Sequence, residues 1–350
     1  MRMFVGTYTN KGTSRGIYAL DLDPESGQFA EPQLAIETPN PSFLAMNTLG
    51  DRLYAACDPG TFDGKKGGGV AGFRIDRATR ALTAINSRPT AGGNCHIDLT
   101  PDGKYVTAAD YGGAVVSLLP LRADGEIEPE LARVQHSGKG PNKERQEKAH
   151  AHCGTTDPSG RYVIACDLGT DEVYVYRIDG GLKQHFVHKT KPGTGPRHVT
   201  FSRDRRFVYL VNELDNTVDT LKWDAEAGTL AHAGRVSTLP EAWKGFTKAA
   251  EIAVHPNGQF VFASNRGCET IARFHVDRDI GLLDAVGHTD VLGKGCRHFA
   301  IDPTGRYLVA ANEESDNVVA FKIHAETGDL TPTGSQAKIG RPVCVCFTLP

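Results

Sequence analysis

Apolar and polar residues alternate along this chain in short runs that break, again and again, at a turn built from Asp, Pro and Gly. One phrase recurs: "CHIDLTPDGKYVTAAD" (95–110), "HCGTTDPSGRYVIACD" (152–167), "RHVTFSRDRRFVYLVN" (197–212), "EIAVHPNGQFVFASN" (251–265) and "RHFAIDPTGRYLVAAN" (297–312), with a more divergent copy in "FLAMNTLGDRLYAACD" (43–58). Each copy predicts strand, tight turn, strand. The Asp-Pro-x-Gly cluster supplies the turn geometry, and the β-branched and aromatic flanks favour extended backbone. Two more strand-like runs follow each copy, for example "VYVYRID" (173–179) and "LKQHFVHKT" (182–190). Four strands per unit is the content of a propeller blade. The Asp or Asn that closes each phrase stands at 58, 110, 167, 212, 265 and 312, so the spacings run from 45 to 57 residues. They are longer than the roughly 40–45 of WD40 repeats and imply longer loops.

Six such units account for residues 41 to about 338. What remains is three strand-like segments at the start ("FVGTYT", "GIYALDLD", "QLAIET") and one at the end ("RPVCVCF"). Three and one make a seventh blade, whose assembly from both chain ends closes the ring and removes edges that invite aggregation. The expected fold is therefore all-β: a seven-bladed β-propeller with four antiparallel strands per blade, in a single domain spanning residues 1–350. The best candidate for a short helical turn is "PEAWKGFTKAAE" (240–251), which otherwise reads as a polar loop.

This architecture turns sequence position into geometry. The start of the first strand and the end of the second share one face of the ring. Six residues before the turn proline or its equivalent lie Cys95, His152, Arg197, Ala250 and Arg297; five before it lie His96, Cys153, His198, Glu251 and His298. After the Asp/Asn series come Pro59, Tyr111, Leu168, Glu213, Arg266 and Glu313. Strict alternation along a strand predicts that the two starting sets point opposite ways. The repeated Asp/Asn reads as structural, since a short polar side chain there can satisfy loop backbone groups in every blade. The residues that do not repeat carry more information: Arg197, Arg266, Arg297, Glu213, Glu313, His150 and His152 gather at one mouth. Arginine forks suit carboxylate or phosphate, and a histidine or glutamate perturbed by them can exchange protons near neutral pH. The cationic 139–150 loop is expected to drape over this mouth, with "HAH" (150–152) delivering its imidazoles into it.

Composition narrows the partners. With 350 residues, a formal net charge of -3 and no apolar run long enough for a membrane span, the chain gives no reason to expect nucleic acid or membrane. The expected partner is a small anionic molecule, and nothing fixes the oligomeric state. Eight cysteines with no CxxC pair read as free thiols, and "MRMFVGTYT" lacks the pattern of a signal peptide, so a cytoplasmic setting is expected. Cys95, His96, His152, Cys153, Cys296 and His298 are suitable metal ligands by type but lack ligand spacing, so no metal and no cofactor are expected. The glycine-rich "KKGGGVAGF" (65–73) leads into a strand and lacks the helix start that phosphate cradling requires.

At "GTYT" (6–9), "GPNKERQEKAHAH" (140–152), "DLGTDEVYVY" (167–176), "PRHVTF" (196–201), "VNELDNTV" (211–218), "AAEIAVHPNGQFVFASNRG" (249–267) and "CRHFAIDPTGRYLVAANEESDNVVAF" (296–321) the sequence resembles the lactonase family of seven-bladed propellers. That family includes propeller-type 6-phosphogluconolactonases and fungal carboxymuconate-lactonizing enzymes. The resemblance implies a catalytic set of His152, Arg197, Glu213 and Arg266 and matches His150 to the family motif; His150 and, by position at the mouth, His198, Arg297, His298, Glu251 and Glu313 are the substrate-binding candidates. It leaves the choice between His150 and His152 open, and Cys153 stands where the family motif often has serine. The implied activity is hydrolysis of a sugar lactone, 6-phosphogluconolactone first. The alternatives are cyclisation of a muconate-like diacid and non-catalytic binding of a ligand or protein. A calcium site of the kind other propeller lactonases build could be imitated by Glu251 with Asn212 and Asn265, but the flanking arginines oppose a cation.

Overall fold

The computed structural model describes residues 1–58, 61–62, 65–76, 78–79 and 81–349. It holds seven four-stranded antiparallel sheets arranged as a propeller, and no helix occurs among the described residues. The 240–251 segment is a loop with one tight turn, in which the Trp243 amide donates to the Pro240 carbonyl, before it enters a strand at Lys248. Blades one to six begin at the inner strands Pro41–Met46, Asn94–Leu99, Ala151–Thr156, Pro196–Phe201, Lys248–Val254 and Cys296–Ile301. The seventh has the strand order expected from the two chain ends: Gln33–Glu37, Gly16–Asp21, Arg2–Thr7, then Pro342–Phe347 on the inside. Phe4 pairs with Cys346 and Gly6 with Cys344. The ring is thereby zipped shut by backbone hydrogen bonds between its termini.

The turns follow from their residues. In "DPSG" the Asp157 carboxylate accepts the amides of Ser159 and Tyr162 at 3.0 and 2.7 Å, and Gly160 takes a φ of 71°, which costs glycine nothing. Where the fourth copy reads "SRDRRF", Arg205 adopts a φ of 63° in the same place, a conformation that side chains with a Cβ disfavour.

The apolar core lies between blades. Along Phe207–Val211, Val208 and Leu210 pack toward the third blade with Tyr162 and Ile164, whereas Tyr209 and Val211 pack toward the fifth with Ile252 and Phe274. A strand buried on both faces has no polar side, which explains the continuous apolar runs in each second strand. Repeating this packing around the ring holds the seven inner strands against a central channel.

Candidate active site

A β-bulge sits at the mouth end of the inner strands. In the third blade Ala151 pairs with Asp167 and Cys153 with Cys166, leaving His152 as the extra residue; Ser42, Cys95, Arg197 and Arg297 are skipped in the same way. In the fifth blade Ala250 and Glu251 both stand between paired neighbours. A bulge interrupts alternation. Consecutive residues therefore both reach the channel, as Arg197 Nη1 at 3.2 Å from His198 Nδ1 demonstrates. This corrects the expectation that one of the two starting sets points away. They form two layers instead.

The upper layer opens onto a cavity of about 540 Å³ lined by Cys95, His152 and Arg297 from the bulges and by Tyr111, Glu213 and Arg266 from the ends of second strands, together with Tyr8, Asp58, Asp110, Arg145 and Lys248. At its floor Glu213, only 2% exposed, is held by three guanidiniums. Arg145 Nη2 donates to Oε1 at 2.6 Å, while Arg197 Nε and Arg266 Nη2 donate to Oε2 at 3.0 and 2.9 Å. Burial opposes the charge on Glu213, but Arg266, Arg197 and Arg145 overcome it and push its pKa far below the usual carboxylate range. Arg197 is itself lowered to about 10 by burial and by Arg266 and Arg297, which leaves it fully charged at neutral pH.

His152 Nε2 lies 3.9 Å from Glu213 Oε2, beyond hydrogen-bond distance. Burial, then the positive charge of Arg197, holds its pKa well below the ordinary histidine value. The result is an uncharged imidazole beside a cluster of guanidiniums, able to accept a proton. Beside it the Cys95 thiol is pushed up to about 12 by burial.

The 136–152 loop behaves differently from expectation in one respect. His152 enters the cavity, but His150 stacks behind Tyr111, with centroids 4.3 Å apart and rings 13° from parallel, and its Nε2 faces Glu147. What the loop adds to the cavity is Arg145. Asn142 Oδ1 accepts the amides of Glu144 and Arg145, and the buried Gln146 donates to the Leu168 carbonyl and to Asp171, so the arginine rides on a fixed scaffold.

The lower layer is closed off from the cavity. His198 Nδ1 meets Glu251 Oε2 at 3.0 Å, His298 Nε2 meets the same oxygen at 3.4 Å, and His96 and Phe43 pack on the imidazoles. His198, His298 and Glu251, expected at the substrate, thus lie beneath it, because the second residue of each bulge points down the channel. Glu313 is also displaced, ion-paired with Arg341 at 2.6 Å and outside the cavity lining. Asn212 and Asn265 are turned into loop contacts with Thr217, Asp219 and Thr238 rather than toward Glu251, so the imitation of a calcium site does not form. Among the described residues no group of three metal-ligating side chains is assembled. Pro59, grouped with the mouth by position, lies outside the described residues.

The family model described as "Lactonase, 7-bladed beta-propeller" matches residues 2–347. The chain belongs to the lactonase family of seven-bladed β-propellers. Among its lactonase relatives, the 6-phosphogluconolactonase of Bacillus subtilis (strain 168) is 38% identical over 98% of this chain and 97% of that protein. The 6-phosphogluconolactonase of Formosa agariphila is 31% identical over 85% of each. The structure of the periplasmic gluconolactonase PpgL of Pseudomonas aeruginosa superposes with a TM-score of 0.91 at 30% identity, covering 99% of both chains.

For this lactonase-family chain, position within the repeat found His152, Arg197, Glu213, Arg266 and Arg297. It missed Arg145, Lys248, Asp58 and Asp110. The Asp/Asn series marked the positions of the aspartates without separating them: Asp167 accepts from His136 and three backbone amides, while Asp58 and Asp110 line the cavity, Asp110 also accepting the Gly113 amide. Lys248 pairs across the strands with Arg266 only because the bulge shifts the register by one residue, so no sequence signal placed it there.

Proposed function

We propose that the chain hydrolyses a sugar lactone, 6-phosphogluconolactone to 6-phosphogluconate, in this cavity. The observation that carries the reading is His152, its pKa held well below the ordinary value, facing the same cavity as the guanidiniums of Arg145 and Arg266, with Arg197 beneath at Glu213. The imidazole takes a proton from the attacking water. The guanidiniums stabilise the negative charge that develops on the carbonyl oxygen. The protonated imidazole then returns the proton to the leaving ring oxygen, so one residue serves as base and acid in turn. Glu213, held far below neutral and occupied by three arginines, is a positioning carboxylate in this scheme rather than the base.

The reverse chemistry on a muconate-like diacid fits less well. Seven blades place the fifth opposite the junction of the first and second. Arg266 and Lys248 of the fifth thus face Asp58 and Asp110 across the cavity. A molecule anionic at one end and hydroxylated at the other matches both walls; a diacid would set a carboxylate against the aspartates.

We also take residues 1–350 as one domain, supported by the closing blade that draws strands from both ends. A cytoplasmic setting belongs to the same proposal, supported by eight unpaired cysteines; the P. aeruginosa neighbour is a periplasmic protein, and fractionation of the native host decides the compartment.

The test is a stopped-flow assay of 6-phosphogluconolactone and gluconolactone opening, corrected for the spontaneous rate, with wild type, His152→Ala and Glu213→Gln. The expected result is acceleration that His152→Ala reduces about a hundred- to ten-thousandfold in a folded protein. No acceleration of either lactone, or full activity in His152→Ala, overturns the reading.

A further inference from the structure

Five basic side chains surround or underlie the cavity, and they are not equivalent. Arg145, Arg197 and Arg266 share the Glu213 carboxylate. Arg297 and Lys248 line the same cavity, and among the described residues neither side chain has a carboxylate at ion-pair distance or a hydrogen bond, although Tyr8, Glu313 and Glu213 favour the charge on Arg297 from farther off. Their only close partners are rings: Arg297 lies over Tyr8 at 5.7 Å and Lys248 over Phe246 at 5.4 Å. Other arginines at this end of the ring are matched, as Arg341 is by Glu313. Both are half-buried and open to the cavity, and a cation there without a carboxylate paired to it is available to an anionic ligand. Lys248 has a lowered pKa, caused by burial and then by Arg266, with Arg145 and Arg297 adding to it.

We propose that Arg297 and Lys248 form the subsite for the phosphate of a phosphorylated sugar lactone, separate from the three arginines that serve the reacting carbonyl. The inference rests on the hydrolytic reading above and extends it to what the enzyme selects. Lys248 opens the fifth blade and Arg297 sits in the bulge of the sixth, so the two stand on neighbouring blades and can grip one dianion from two sides. Arginine provides the fork and lysine the point charge. The opposite wall is built for the other end of the molecule. Gly93 and Gly92 keep it open, since a Cβ on either would lie 2.5 or 2.0 Å from the carboxylates of Asp58 and Asp110 respectively. Those carboxylates accept hydrogen bonds from sugar hydroxyls and repel phosphate. Phosphate on one wall and hydroxyls on the other bring the carbonyl over the floor, where His152 and the arginine trio are.

The test measures selectivity. For wild type, Arg297→Gln and Lys248→Gln, kcat/KM is determined on 6-phosphogluconolactone and on gluconolactone, and the dissociation constants of the products 6-phosphogluconate and gluconate by calorimetry. Each substitution is expected to lower the ratio of the two kcat/KM values roughly ten- to a hundredfold, as loss of a charge-assisted contact does, and to weaken 6-phosphogluconate binding in step. Arg297→Lys, which keeps the charge, should recover part of the ratio, and its melting curve separates misfolding from lost contact. Equal losses on both lactones overturn the subsite, as does a wild type that binds 6-phosphogluconate no better than gluconate. If neither lactone is accelerated but wild type prefers 6-phosphogluconate and both variants lose that preference, the hydrolytic reading fails and the subsite stands.

Discussion

Two rings of polar side chains, one residue apart on the same strands, meet very different fates. The upper ring meets an open cavity through Cys95, His152 and Arg297, with Arg197 buried just beneath at Glu213. The ring beneath, with His96, His198, Glu251 and His298, is closed over by its own contacts. Here the Val345 amide donates to His298 Nδ1 and the Gly154 amide to His96 Nδ1, which leaves each ring's proton on Nε2 and the imidazole neutral. The same residue types thus do chemistry in one layer and hold geometry in the other. What separates them is access to the cavity, set by the bulge.

The largest expected difference between the rings is kinetic. Arg197→Ala removes a guanidinium that holds Glu213 beneath the cavity and should lower kcat/KM on the lactone about a hundred- to a thousandfold, on the scale of losing one oxyanion donor. It should also move the pH profile. Arg197 is the second cause, after burial, of the lowered His152 pKa. In wild type the acid limb of kcat/KM therefore lies below the ordinary histidine range, and in Arg197→Ala it should shift upward. A profile whose acid limb does not move would remove His152 from the role of base.

Breaking the lower ring should act on stability first. Glu251→Gln takes the charge from a carboxylate that holds His198, His298 and the Ile252 amide. The expected cost is about 1–3 kcal/mol in denaturant unfolding, the range for weakening buried hydrogen bonds to a charged group. The loss in kcat/KM should be smaller than for Arg197→Ala, transmitted through the His198 contact to that arginine. A variant as stable as wild type but as inactive as Arg197→Ala would place Glu251 in the chemistry and erase the distinction between the rings.

Acid should reach the channel histidines without any mutation. His96, His152 and His198 have pKa values well below the ordinary value, each mainly through burial, and His298 is lowered for the same first reason. A depressed folded-state pKa means that the unfolded chain binds protons first as pH falls. Stability is then full above about 6.5 and declines below it, by about 1.4 kcal/mol per pH unit for each histidine that stays neutral when folded. Melting temperatures measured from pH 7.5 to pH 5 should fall with a slope that Arg197→Ala reduces, because His152 and His198 both lose a repelling charge. A flat profile would mean that the histidines take up protons over the same pH range in the folded protein as in the unfolded chain.

The ring, its closure by both chain ends and the placement of Cys95, Tyr111, His152, Glu213, Arg266 and Arg297 at the cavity were legible because they follow from periodicity, which the chain states six times. The two layers were not. A bulge is one extra residue in a ladder, and "RHVTF" and "CHIDL" would read equally well as regular strands; their register is decided by the pairing partners on the second strand. Arg145 was hidden for another reason. It lies in an irregular loop whose shape comes from Asn142 and Gln146, so no period announces where its side chain ends up. The divergence of Asp58 and Asp110 from Asp167 was equally silent, since all three occupy one repeat position and differ only in which neighbours compete for them.

The smallest expected effect concerns Cys95, which belongs to the upper ring by position but shares the inertness of the lower. Its Sγ is 3.9 Å from His152 Nδ1 and 3.4 Å from the His152 carbonyl, close enough to act as a nucleophile if it were a thiolate. Burial instead holds its pKa at about 12, so the thiol stays protonated at working pH and Arg297 and Arg197 only partly offset the effect. Cys95→Ser replaces one protonated group by another and should change kcat/KM by less than about tenfold, within about 1.4 kcal/mol. Iodoacetamide at pH 8 should label Cys95 no faster than it labels the thiols buried in the core. Rapid labelling of Cys95 that tracks loss of activity, with Cys95→Ser resistant, would show a thiolate in the cavity and make cysteine rather than His152-activated water the attacking group.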